Sequence, residues 1–259
     1  SSVRPAAIVW GFTATPHHDD PDRNAAVRAA FPESFVVARE RVEASGHIVP
    51  GKVYVHDLDT PGQFDREIEE RAGAELIRRC RRFPQIPRFE HERRVKWQIT
   101  QEFIQTNETR NSAAVSIINQ EAAKGQSVLS LVFSIEHGER LAARVAGSVL
   151  CHSKLPAKRR REAIEAARSG ALSCLFATSL ADEGLDLPRA SRLVLVAGGR
   201  SAGKLEQRVG RVLRPFAGKA AGIVHDFLDA GACFALAQAR ARWKVYERLG
   251  YKPELVRYA

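Results

Sequence analysis

Methionine is absent from all 259 residues, including the first. Several would be ordinary at this length, so the expectation is a fragment of a longer chain or a sequence from which modified methionines have dropped out. Cysteine is scarce: Cys80, Cys151, Cys174 and Cys233 lie far apart and form no C-x-x-C pair, a pattern that points to neither a zinc ribbon nor a disulfide framework and fits reduced, mostly buried thiols. No apolar run approaches the ~20 residues of a membrane-spanning helix, and no charged-then-apolar leader opens the chain. Internal repeats and low-complexity tracts are missing too. With 44% apolar and 27% charged residues, the composition is that of a soluble globular protein, expected in the cytoplasm with no membrane partner.

One charge is in excess. Lysine and arginine number 40 against 30 acidic residues, a net +10, which predicts attraction to a polyanion without specifying a fold. The excess is clustered. Arg78, Arg79, Arg81, Arg82, Arg88, Arg93, Arg94 and Lys96 have only Glu90 and Glu92 nearby, and Lys158, Arg159, Arg160 and Arg161 open a second basic segment. Phosphate backbones are the sharper reading of both clusters and a solubilising surface the plainer one.

Apolar periodicity sets out the elements. Ala6 to Trp10 reads as a buried strand, Ala25 to Phe31 as a helix, Phe35 to Ala38 as a strand and Arg39 to Ser45 as a helix stopped by Gly46. Lys52 to Leu58 alternates as a strand. Gln63 to Arg82 is helical, with Phe64, Ile68, Ala72, Leu76 and Ile77 on one face. Helices over Arg93 to Thr106 and Thr109 to Lys124 precede a repeating unit. Strands are expected at 128–133, 148–151, 172–177, 193–197 and 222–227, and helices at 136–146, 157–169 and 203–213. That order predicts an α/β, doubly wound parallel sheet. A last helix, Gly231 to Gly250, would dock through Phe234, Ala237, Ala241, Val245 and Leu249.

Leu172 to Pro215 is the stretch around which the rest is organised. It runs strand, polar loop, strand and helix, and ends in Gln207-x-x-Gly210-Arg211-x-x-Arg214. On one continuous helix Gln207, Arg211 and Arg214 share a face, which would aim two guanidinium forks and an amide into a single cleft suited to phosphate oxygens.

These residues resemble known motifs. Ala177 to Pro188 (ATSLADEGLDLP) is similar to motif V of the superfamily 2 helicases, Gln207 to Arg214 to their motif VI, and Gly11-Phe12-Thr13-Ala14-Thr15-Pro16 to motif III. Leu129 to Phe133 with His137 to Leu141 looks like motif IV, and Val149 to Ser153 like the accessory motif that follows it. The order is the family's and covers nearly the whole chain. Within the superfamily, Arg93 to Asn111 and Ser134 to Gly138 are most similar to UvsW-type phage helicases, with branched-DNA translocases as near neighbours. The phosphate-binding loop and acidic metal motif that normally precede motif III are not in the sequence.

The resemblance implies a RecA-like C-terminal lobe over residues 49–259, preceded by the remnant of a first ATPase lobe over residues 1–48. It also implies an ATP-dependent helicase or translocase in a phage or bacterial setting. ATP and magnesium would be held mainly by the missing first lobe, and the partner would be nucleic acid, DNA rather than RNA. Arg214 would be the arginine finger, Arg211 its neighbour, and Gln207 a bridge toward water or phosphates. Gly184 and Asp186 would contact the nucleotide, and Thr13, Ala14 and Thr15 would couple the lobes. Thr178, Ser134 and His152, with Lys158, Arg159 and Arg160, would hold one strand's backbone. No metal ligand is expected within the chain.

Competing readings remain. The chain could be a nucleic-acid-binding module without turnover, or the motor half of a split assembly. Gly198 to Lys204 fits the G-x-x-x-x-G-K of a self-contained P-loop NTPase and lies between a strand and a helix, yet Leu205 stands where a hydroxyl should hold magnesium. Gly46 to Val53 is a second near match, with Val53 in that place. His17-His18-Asp19-Asp20 lacks a third ligand group and reads as a solvated loop. Asp226 and Asp229 are expected to make structural contacts at a strand end, and His137 and His152 could be polar packing or backbone contacts.

Overall fold

The computed structural model describes residues 21–31, 35, 37–58, 63–178, 185–199 and 201–258. Thr13 to Thr15, the His17 to Asp20 run and Ser179 to Gly184 lie outside them. Among the described residues the strands are β1 (Gly51–Asp57), β2 (Val128–Leu131), β3 (Ser148–Cys151), β4 (Cys174–Ala177), β5 (Arg192–Leu195), β6 (Gly222–Leu228) and β7 (Glu254–Arg257). The helices are α1 (Pro21–Ala30), α2 (Arg39–Ala44), α3 (Gln63–Arg82), α4 (Arg88–Thr106), α5 (Glu108–Ala123), α6 (Ile135–Ala142), α7 (Ala157–Ser169), α8 (Ala202–Val212) and α9 (Cys233–Arg248). None is long and apolar enough to cross a membrane.

All strand pairs are parallel, in the order β3-β4-β2-β5-β6-β1-β7. A parallel sheet needs helices on both faces, which is why its central strands read as continuous apolar runs. In β4, Cys174 and Phe176 face α5 and α6, while Leu175 and Ala177 face the side covered by α7, α8 and α9. The expected doubly wound α/β fold is present.

Local chemistry sets the helix ends. Asn107 caps α5 by accepting the Arg110 N–H at 3.0 Å, and Ser134 caps α6 by accepting that of His137 at 3.1 Å. Gly170 ends α7 with φ +87°, a left-handed conformation that favours glycine.

Four expectations are corrected. Phe35, Val37 and Ala38 belong to no strand. On α3 the buried stripe is Ile68, Ala72 and Leu76, while Ile77 is 56% exposed. On α9 the buried stripe is Ala235, Gln238, Ala239, Arg242, Val245 and Tyr246, one position round from the expected face, because Arg242 and Tyr246 turn inward to reach Asp226. The edge strand β7 was not expected at all. Cys151 and Cys174 are buried free thiols, as their isolation suggested, and Cys80 is half-buried.

Residues 39–50 dock on the sheet rather than away from it. The Arg39 guanidinium lies 3.7 Å over the Tyr251 ring, and the Val49 N–H donates to the Leu213 carbonyl at 2.8 Å.

Candidate functional site

The proposed site residues that lie within the described structure fall mainly into two groups at opposite ends of the strands. Four-residue strands span about 13 Å, so the groups face different sides of the lobe.

At the N-terminal end sit Asp186, Arg211 and Arg214, with Gln207 midway along α8. Helix α8 buries Leu205, Val209 and Val212 against the sheet and leaves Gln207 exposed. It ends at Val212, so Arg214 lies in the turn beyond it and does not continue the helical face. The cause is tertiary: the Leu213 carbonyl is taken by Val49 of the strand entry, and its side chain lies against the bare backbone of Gly51 and Gly222. Arg211 is 8% exposed. The expectation of two guanidinium groups side by side in one open cleft is corrected: Arg214 presents itself and Arg211 is covered.

Asp186 Oδ1 accepts a hydrogen bond from Arg214 Nη1. The Asp186 carbonyl accepts one from Arg168 Nε at 2.9 Å. Lys219, which sequence reasoning missed, ties this corner together. Its ammonium donates to the carbonyls of Pro188 (3.0 Å), Ala190 (2.7 Å) and Arg214 (2.9 Å). Three donors thus meet three acceptors, joining the chain after Asp186 to the turn that carries Arg214. Burial, with the Arg192 and Arg214 guanidinium groups nearby, lowers the Lys219 pKa to about 8. A lone lysine in a loop carries no sequence signal for such a role.

At the C-terminal end, Leu131, Ala177 and Cys151 share one register row across β2, β4 and β3. The residues that follow therefore emerge side by side. Thr178 donates its N–H to the Cys151 carbonyl at 3.4 Å, and His152 is half-buried next to it. The Ser134 hydroxyl, besides capping α6, donates to Gln105 Oε1 at 2.6 Å. Lys158 and Arg159 are exposed in the first turn of α7, with Arg160 behind them. Cations at the positive end of a helix are unfavourable by roughly 0.3–1 kcal/mol each, a cost that a bound anion removes.

The neighbouring polar residues are internal braces. Asp226 takes two hydrogen bonds from Arg242, at 2.7 and 2.9 Å, and one from Tyr246 at 2.9 Å. Asp229 pairs with Arg110 at 2.7 Å, and that guanidinium lies 4.8 Å over the Phe227 ring. Both carboxylates thus have the structural role expected of them. His137 is fully buried, bonded to Asn111 Oδ1 at 3.0 Å; desolvation, with Arg110 and Arg140 nearby, lowers its pKa to about 3.

Among the described residues neither P-loop-like run makes a phosphate cradle. The space against Gly198 is filled by Arg242, which donates to the Gly199 carbonyl at 2.9 Å. The second run follows a helix and enters a strand, with Val53 1% exposed in the core, the reverse of the strand-to-helix order that phosphate binding needs.

Residues 109–215 match the family described as the helicase conserved C-terminal domain. Over 76 residues the chain is 45% identical to the protein named helicase 22 of the Sulfolobus islandicus filamentous virus, 29% of this chain and 14% of that protein. Over 88 residues it is 36% identical to the protein named DNA 3'-5' helicase Rad25 of Halobacterium salinarum, 34% of this chain and 14% of that protein. The stretches matched are thus a small part of both relatives. Among solved structures, T4 UvsW shares the fold, with a TM-score of 0.58 at 14% identity over 80% of this chain and 42% of that one. Over residues 109–215 the chain matches the helicase conserved C-terminal domain, on a parallel α/β fold that it shares with T4 UvsW.

Proposed function

We propose that this chain is the second lobe, residues 49–259, with a remnant of the first over residues 1–48, of an ATP-dependent helicase or translocase acting on DNA. The Asp186–Arg214–Lys219 corner carries the reading. An arginine whose backbone is anchored by a saturated ammonium, and whose side chain is half exposed beside a carboxylate, fits an anion that approaches from outside the lobe. In a complete enzyme that anion is the γ-phosphate of ATP, held with magnesium chiefly by an opposite lobe bearing a P-loop. Arg214 is the finger, Arg211 braces it from the end of α8, Gln207 reaches toward water or phosphates, and Gly184 with Asp186 contacts the nucleotide. Thr13, Ala14 and Thr15 couple the lobes.

Asp186 acts as the parking site of the finger. With no nucleotide in the cleft it neutralises Arg214; when the γ-phosphate arrives, the guanidinium exchanges one anion for another. Thr178, Ser134 and His152, with Lys158, Arg159 and Arg160, grip one strand's phosphodiester backbone at the other end of the sheet, so opening and closing of the cleft moves that strand. DNA is favoured by the name of the Halobacterium relative.

The test is Arg214→Ala in the complete enzyme. Turnover of ATP should fall by about 10³-fold or more, with nucleotide affinity changed far less and the melting temperature unchanged. Near-normal phosphate release would overturn the assignment. ATP hydrolysis by residues 1–259 alone would overturn the two-lobe reading.

A further inference from the structure

The turn between α3 and α4 stands outside the matched helicase domain and holds much of the chain's charge. Between Ile77 and Arg94 there are seven arginines and two glutamates, a net +5 against +10 for the whole chain. Among the described residues, Arg81, Arg82, Arg88 and Arg93 make no ion pair. At the start of α4, Phe89 is 68% exposed. Exposing a large aromatic among exposed guanidinium groups, of which Arg82 lies 5.4 Å over the Phe83 ring, is costly for a surface whose only task is solubility, and it is what stacking on bases between phosphates requires.

The turn is rigid. Its loop contains Pro84 and Pro87, the buried His91 ring bonds the Phe83 carbonyl at 3.0 Å, and Ile68, Ala72, Val95 and Ile99 zip the two helices together. On α4 the buried stripe runs through His91, Val95 and Ile99, while Phe89 and Arg93, four residues apart, share a face turned away from it. Further along α4, Trp97 packs on Phe133, the residue that leads from β2 to Ser134. The hairpin is therefore rooted at the end of the sheet that carries Thr178, His152 and Ser134. About ten helical residues, ~15 Å, separate that root from its tip.

We infer that the α3–α4 tip is a second nucleic-acid site, at which Phe89 stacks on an unpaired base and Arg82, Arg88 and Arg93 hold the flanking phosphates of a single strand. This rests on the reading of the chain as part of a nucleic-acid motor and adds a contact outside the shared helicase domain. A rigid aromatic standing beyond the gripping edge can take hold of a strand as it leaves a duplex.

The test is fluorescence anisotropy with labelled oligothymidylate, and with the same strand made abasic, on residues 1–259 and on the complete enzyme without nucleotide. Phe89→Ala should weaken binding of the base-bearing strand by about tenfold. It should leave the salt slope and the binding of the abasic strand unchanged. Phe89→Trp should retain affinity. Arg82→Gln, Arg88→Gln and Arg93→Gln should weaken both strands and each lower the salt slope by about 0.7. All these side chains are exposed, so melting should not shift. Unchanged affinity in Phe89→Ala, or equal loss on the abasic strand, overturns the stacking site; preference for polyglutamate over the oligonucleotide overturns it in favour of an acidic protein partner. Arg214→Ala separates the two proposals: if that variant loses turnover while its strand binding still depends on Phe89, both stand. Strand binding that depends on Phe89 in an enzyme whose turnover ignores Arg214 sinks the finger alone.

Discussion

Asp186 accepts a hydrogen bond from Arg214 across 28 residues of sequence, with the two side chains 52% and 47% exposed. At that exposure the pair contributes only about 0–1 kcal/mol to stability. Asp186→Ala should therefore melt within a few degrees of the parent yet lower ATP turnover in the complete enzyme, because Arg214 loses its parking site. Calorimetry beside phosphate release checks this; unchanged turnover removes Asp186 from the site.

Lys219 positions Arg214 through the backbone. Lys219→Met strips three carbonyls of their donor and should lower kcat with little effect on KM for ATP. Folding lowers the Lys219 pKa from 10.5 to about 8, so the ammonium with all three donors is present below pH 8 and is lost above it. Turnover by the parent should fall through an alkaline midpoint near 8, and Lys219→Met should lack that limb. Global stability changes in the opposite direction. Between pH 8 and 10.5 the unfolded chain holds a proton that the folded chain has released, so stability rises with pH across that window. Kinetic and denaturation profiles measured on one preparation distinguish the two effects.

Three buried imidazoles make the fold sensitive to acid. Burial is the main cause of low pKa values in His56 (about 4), His137 (about 3) and His225 (about 3), and His56 Nε2 and His225 Nδ1 are hydrogen-bonded at 2.9 Å. Below pH 6.5 the unfolded chain takes up protons that the folded chain refuses. Stability should therefore drop as pH falls toward 4, by roughly 1.4 kcal/mol per pH unit for each imidazole. Urea titrations between pH 7 and pH 4.5 measure the slope. His137→Gln, which keeps a hydrogen bond to Asn111 possible, should flatten it; an identical slope in that variant removes His137 from the cause.

Asp226 anchors α9 to β6. Asp226→Ala leaves the buried Arg242 guanidinium without its partner carboxylate and should cost about 3–5 kcal/mol, whereas replacing both partners with apolar residues, as in Asp226→Leu with Arg242→Met, should cost less. Chemical denaturation of the two variants decides the order. If the single variant is the more stable, the pair is not the brace described.

Much of the fold was legible because the sequence punctuates it. Helix α7 was read to the residue as 157–169 and β3 as 148–151; Pro156 and Gly170 flank the first and Gly147 precedes the second. The buried parallel strands announce themselves as apolar runs, since both faces are covered. Strand β7 gave no such signal. It is an edge strand whose residues are mostly exposed, so neither alternation nor an apolar run marks it, and only its pairing with β1 defines it. The face of α9 was misplaced by one position because polar side chains, Arg242 and Gln238, occupy its buried stripe, which an apolar count passes over.

The sequence by itself determined the α/β class and the order of elements from β1 to α9, and it singled out Asp186, Gln207, Arg211 and Arg214 by their resemblance to helicase motifs, because local propensity and motif spacing are properties of neighbours along the chain. Tertiary structure alone decided that Asp186, Arg211 and Arg214 face the opposite end of the sheet from Thr178, His152 and Ser134. It also decided that Arg214 is open while Arg211 is covered, and that Lys219 joins the two chain segments of the corner. Those facts depend on where strands end and which carbonyls are left without partners, and both are settled only when segments distant in sequence pack against each other.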